Sequence, residues 1–97
     1  MRILRTKYFI STLQQNLDYI AKDKVSASFK FKKELDTHVN NLINFPYKYR
    51  KSYYHKDETI RDMTFKTYTI IYRIEEAKEL IEILEMFHKN LPTTEEK

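Results

Sequence analysis

Arg61 and His88 are the side chains whose types and surroundings point most directly to chemistry. Arg61 sits in an alternating run, Ile60 to Lys66, and shares a face with Met63 and Phe65 because side chains on a strand alternate with period two. A guanidinium on an apolar face costs free energy unless it reaches a counter-charge, a cleft or a phosphate. Asp57, Glu58 or a helix carboxylate would supply a structural ion pair, and that reading stands beside anion binding. His88, followed by Lys89, carries an imidazole, a side-chain type that suits proton transfer as well as simple exposure at a strand end. A general base alone cleaves nothing. Arg61, Lys66 or Arg73 would have to converge with His88 to stabilise a phosphorane-like charge. His38, in a helix among polar neighbours, and His55, in a basic loop, read as solvated. Three histidines so widely separated do not make a metal-ligand set, and no metal or other cofactor is expected.

A second group with chemical character is YKYRKSYYHK, from Tyr47 to Lys56. It interleaves Lys48, Arg50, Lys51 and Lys56 with Tyr47, Tyr49, Tyr53 and Tyr54. Cations neutralise phosphate while aromatic faces stack on unpaired bases. The same composition suits a protein interface, where Tyr and Arg are enriched. It also suits tyrosines packed on a sheet edge with lysines left in water.

The elements that must position these residues follow from pattern. Arg2 to Leu4 is a short first strand. From Thr6 to Ala21, Phe9, Leu13, Leu17 and Ile20 recur at spacings of three and four, which defines one face of a helix with Thr6 as N-cap. After Asp23 and Lys24 a second helix is predicted from Val25 to Asn44, with Ala27, Phe31, Leu35, Val39 and Leu42 on its apolar face and Pro46 enforcing the stop. The very short link makes an antiparallel helical hairpin, which must bury its stripe on the C-terminal half. Pro46 to Glu58 is irregular, with a short extended piece at Lys51 to Tyr54. Ile60 to Lys66 and Tyr68 to Ile74 are strands joined at Lys66–Thr67, the second placing Tyr68, Ile70, Tyr72 and Ile74 opposite Thr69, Ile71 and Arg73. For 75–89, propensity and period favour a helix lined by Leu80, Ile81, Leu84, Phe87 and His88.

Composition sets the outer bounds. Ninety-seven residues with 41% hydrophobic content are expected to make a single domain over 1–97, with a polar tail at 93–97 expected to fray. The absence of cysteine removes disulfides and thiol catalysis, and the absence of glycine removes glycine-rich phosphate cradles. Tight turns must then use Asn, Asp, Lys or similar residues. A net charge of +4 suits anionic partners. The N-terminus has no signal-peptide pattern and no run spans a bilayer, so a cytoplasmic location without membrane association is expected.

The order of motifs, a short strand, a hairpin ending in L-x-x-F-P (Leu42 to Pro46), I-R at Ile60–Arg61, Y-x-I-x-Y-R-I (Tyr68 to Ile74) and I-x-I-L-x-x-F-H (Ile81 to His88), resembles the RelE/ParE family of bacterial type II toxins. The resemblance implies an α+β fold, β-α-α-β-β-β, with the hairpin packed on a small, mainly antiparallel sheet and the first strand pairing within it. It also implies a strand from about Leu80 to Phe87, against the helical pattern, and that is the expectation adopted. Relatives often carry glycine where this chain has Thr67, so a wider turn or another turn type is expected there. Functionally the resemblance implies a growth-inhibiting toxin of a plasmid-stabilisation module, neutralised by an acidic antitoxin protein in a toxin–antitoxin hetero-oligomer. The ParE-like branch, which poisons DNA gyrase, is favoured by the two long helices. The alternatives are a RelE-like ribosome-dependent mRNA endonuclease with Arg61 and His88 as catalytic residues, and a non-toxic binding module. Lys48, Arg50, Lys51, Tyr53, Tyr54, Lys66 and Arg73 are the residues expected to bind the target or nucleic acid.

Overall fold

A computed structural model describes residues 1–88; Lys89 and the expected tail at 93–97 lie outside the described residues. The chain forms β1 (Arg2–Arg5), α1 (Lys7–Asp23), α2 (Val25–Asn40), β2 (Arg50–Lys51), β3 (Ile60–Phe65), β4 (Tyr68–Glu75) and β5 (Leu80–His88). The sheet order is β1-β5-β4-β3-β2. All neighbours are antiparallel except β1, which pairs with β5 in parallel and occupies one edge. This is the expected α+β arrangement with one strand added.

The helices form where the apolar spacing demanded. Phe9, Leu13 and Leu17 on α1, and Phe31, Leu35 and Val39 on α2, are buried against the sheet. Thr6 caps α1 by accepting the Phe9 backbone N–H at 3.1 Å. Its hydroxyl also donates to the Ile83 carbonyl at 2.8 Å, which ties the start of the helix to β5. The hairpin turns on Lys24 alone, held in an extended conformation at φ −159°. Ser28, buried at the crossing, donates to the Leu17 carbonyl at 3.1 Å. The second helix stops short of the predicted Asn44. Its α-helical part ends at Asn40, and a 3-10 turn over Asn41–Ile43 brings Leu42 into the core.

The extended piece expected at Lys51 to Tyr54 is instead β2, at Arg50–Lys51, and it adds a fifth strand beyond β3. The β3–β4 turn keeps two residues, with Phe65 opposite Tyr68. Of the two expected outcomes, a wider turn or another turn type, the widening does not occur: Lys66, and not Thr67, takes the left-handed conformation, at φ 55°. The chain without glycine uses a second left-handed residue, Glu79 at φ 51°, before β5.

The last element is a strand, as the resemblance implied and the periodicity did not. Tyr72 faces Ile83 and Ile71 faces Glu85, so Leu84 is an extra residue in a bulge. Ile81, Ile83 and Met86 enter the helix-side core, while Leu84 and Phe87 pack on the far face. Apolar residues at 80, 81, 83, 84, 86 and 87 thus imitate a helical period, because β5 is covered on both faces and its alternation switches at the bulge.

Candidate functional site

Arg61 lies on the helix side of β3, opposite Tyr72. The ion pair with Asp57, Glu58 or a helix carboxylate does not form. Instead its Nη1 donates to the Tyr49 carbonyl at 3.1 Å and its guanidinium stands 5.1 Å from the centre of the Tyr47 ring. Its Nε is buried without a hydrogen-bond partner. The cleft beside it, of about 660 Å³, is lined by Tyr47, Asp57, Thr59, Arg61, Arg73 and Glu76 among others. The Tyr47 hydroxyl donates to the Glu76 carboxylate, and that bond pushes the phenol above its ordinary range.

The segment after Pro46 is therefore pinned to the sheet from below. The buried Tyr72 side chain donates its hydroxyl to the Pro46 carbonyl at 2.7 Å, and burial raises its pKa. Arg61 holds Tyr49. Asp62, only 1% exposed on the other face of β3, pairs with Arg50 at 3.1 Å and accepts the Tyr53 backbone N–H at 3.0 Å. Sequence reasoning passed over Asp62. Its signal was available: a carboxylate inside an otherwise apolar strand run needs a specific partner.

Four of the expected binding residues are brought together on this segment: Lys48, Arg50, Lys51 and Tyr53. The Arg50 guanidinium lies 3.8 Å from the Tyr53 ring centre, and Lys48 stands over Tyr49 at 5.5 Å. Lys51 makes a surface pair with Glu58 at 3.5 Å. Tyr54 turns inward, edge-on to Phe87 at 5.2 Å, and covers Ile60 and Ile71. Phe45, which sequence reasoning used only to end a helix, is 60% exposed beside the group.

The other expected site residues lie elsewhere. Lys66 pairs with Glu34 at 3.1 Å, which holds that carboxyl below its ordinary range. Arg73 pairs with Glu82 at 3.6 Å on the face away from the helices. His88, opposite Tyr68 in register, packs edge-on to that ring at 5.2 Å. Arg61 stands opposite Tyr72, four residues along β4 from Tyr68. At about 3.3 Å per residue and 4.8 Å per strand, Arg61 and His88 are roughly 16 Å apart. His38 is exposed, as expected, whereas His55 is not. His38 packs on Phe65 at 4.8 Å, and His55 is half-buried with Nε2 lacking a hydrogen-bond partner. Among the described residues no cluster suits a metal ion, and no helix is long and apolar enough to cross a membrane.

A helical hairpin on a five-stranded sheet closed by a parallel N-terminal strand is a ParE-like fold. A solved structure titled "Chromosomal ParDE TA system from P. aeruginosa" superposes with a TM-score of 0.74 at 17% identity, covering 91% of this chain and 95% of that one. No curated protein matches. The family described as "ParE toxin of type II toxin-antitoxin system, parDE" matches residues 3–90, and the chain belongs to it.

Proposed function

We propose that this ParE-family chain is a toxin that acts on DNA gyrase and is neutralised by an acidic antitoxin. The observation that carries the choice of target is the dispersal of the residues a nuclease would need. Arg61 is engaged by Tyr49 and Tyr47 at one end of the sheet, Lys66 and His88 lie at the other, and Arg73 is tied to Glu82. General acid–base cleavage of RNA requires such groups within hydrogen-bond reach of one phosphate. Poisoning a second enzyme requires only a binding surface.

An antitoxin segment has a place to dock. The hairpin carries a groove of about 420 Å³ lined by Arg5, Ile10, Leu13, Leu17, Lys32 and Asp36, with Tyr8 and Ile10 exposed nearby. Cations at its rim and apolar residues along it suit an acidic amphipathic helix.

Purified protein added to gyrase and plasmid should inhibit supercoiling or trap cleaved DNA, and pre-mixing with the antitoxin should abolish the effect. Unaffected gyrase from the native host would sink this reading. Cuts in ribosome-bound mRNA that vanish in Arg61→Ala and His88→Ala would replace it with the nuclease. Unimpaired growth on induced expression would favour a non-toxic module.

A further inference from the structure

The whole net charge of the molecule resides in one segment. Residues 37–56 contain Lys48, Arg50, Lys51 and Lys56 and no Asp or Glu, while the remaining fourteen Lys and Arg are matched by fourteen Asp and Glu. The same segment exposes aromatic surface that folding did not bury: Phe45, Tyr47 and Tyr53, the last at 78%. It is also anchored. Tyr72 holds Pro46, Arg61 holds Tyr49, and Asp62 holds both Arg50 and Tyr53, each from a strand of the sheet. An exposed loop that needed only solubility would not require rings, and it would not be tied down at four places.

We propose that residues 45–53 form a binding site for single-stranded nucleic acid, in which Tyr53 stacks on an unpaired base while Lys48, Arg50 and Lys51 neutralise phosphates. The Tyr53 ring has the Arg50 guanidinium 3.8 Å from its centre, which leaves a ring face for a base and sets a cation beside it. Arg50 is held by Asp62 yet keeps 41% of its side chain exposed, so it is oriented without being removed from solvent. Lys51 pairs with Glu58, itself 80% exposed, and such a surface pair yields readily to a phosphate. An acidic peptide without aromatic side chains would satisfy the cations and leave the exposed Tyr53 face bare. Unpaired bases use both.

The site does not depend on gyrase, and its test leaves gyrase out. The full chain is titrated into a fluorescein-labelled oligo(dT) of about sixteen nucleotides and followed by fluorescence anisotropy. With three phosphates neutralised, affinity should fall about 20-fold between 50 and 200 mM salt. Tyr53→Ala should weaken binding about tenfold, whereas Tyr53→Phe, which keeps the ring, should bind as the parent does. Lys48→Gln with Lys51→Gln should flatten the salt dependence to roughly that of one phosphate. These positions are on the surface, and circular dichroism of each variant confirms its fold. Absence of saturable binding at low salt would overturn the proposal. So would equal affinity for polyglutamate or for duplex DNA of the same length, or a Tyr53→Ala variant that binds unchanged. Any of these outcomes leaves the gyrase assay to stand or fall separately.

Discussion

On the side of the sheet that carries the helices, sixteen buried residues from both helices, the 3-10 turn after α2 and β3 to β5 form one continuous core. On the other side Ile60, Ile71 and Phe87 are buried together among the described residues, under Tyr54 and Leu84. Beyond that small cluster the far face turns ionic, with Arg73 on Glu82 and Lys78 on Glu75. Asp62 belongs to this face too, buried on β3 and committed to Arg50 and the Tyr53 amide. The contrast separates two tasks. The helix side supplies most of the stability by area and packing and also reaches Pro46 and Tyr49 through Tyr72 and Arg61, whereas the far side contributes a buried polar anchor, Asp62, that holds Arg50 and Tyr53.

The comparison can be broken by mutation. Ile70→Ala, at a fully buried position in the larger core, should cost about 4 kcal/mol in urea unfolding. Asp62→Ala should cost about 2 kcal/mol, because it leaves the Tyr53 amide without its acceptor and Arg50 without its partner. Hydrogen exchange should then quicken at Tyr53 while amides of the helices stay protected. Tyr54→Ala opens the small cluster and should cost about 1.5 kcal/mol. If Tyr54→Ala proved as damaging as Ile70→Ala, the two faces would share stability and the division of tasks would be wrong.

The smallest effect concerns the ionic end of the far face. A hydrogen bond donated by the protonated Glu82 carboxyl to the Glu75 carboxylate holds Glu82 above the ordinary glutamate range and Glu75 below it. Above pH 4.5, the ordinary value, the folded chain keeps a proton on Glu82 that the unfolded chain has released. This contribution to stability is therefore full below pH 4.5 and is lost as pH rises through the raised value. Glu82→Gln keeps the hydrogen-bonding shape without the titration, so its stability should be flatter over that interval and the variant should exceed the parent at neutral pH by under about 1 kcal/mol. A parent and variant with parallel pH profiles would remove Glu82 from the account.

Much of this was legible in the order of residues. Phe9, Leu13 and Leu17 announced α1, Thr6 announced its cap, and the alternation of Tyr68, Ile70, Tyr72 and Ile74 announced β4, because these signals come from local geometry and burial of a single face. The extent of α2 was overestimated because Leu42 continues the apolar spacing through a tighter 3-10 turn. β5 read as a helix because a bulge and burial on both faces removed the period-two alternation. The partners of Arg61 were not legible, since a backbone carbonyl and a ring twelve to fourteen positions earlier leave no charge signature.

By itself, then, the sequence determined the helices, the two central strands, the absence of glycine-dependent sites and the concentration of charge in residues 37–56. Only the tertiary structure decided how the segment that carries those charges is held. Lys48, Arg50, Lys51 and Tyr53 lie on a segment held at Pro46 by Tyr72, at Tyr49 by Arg61, and at Arg50 and Tyr53 by Asp62, all from β3 and β4. Arg61 and His88, both conspicuous in the chain, were set at opposite ends by strand register. Register depends on pairing between distant residues, which spacing along one chain does not encode.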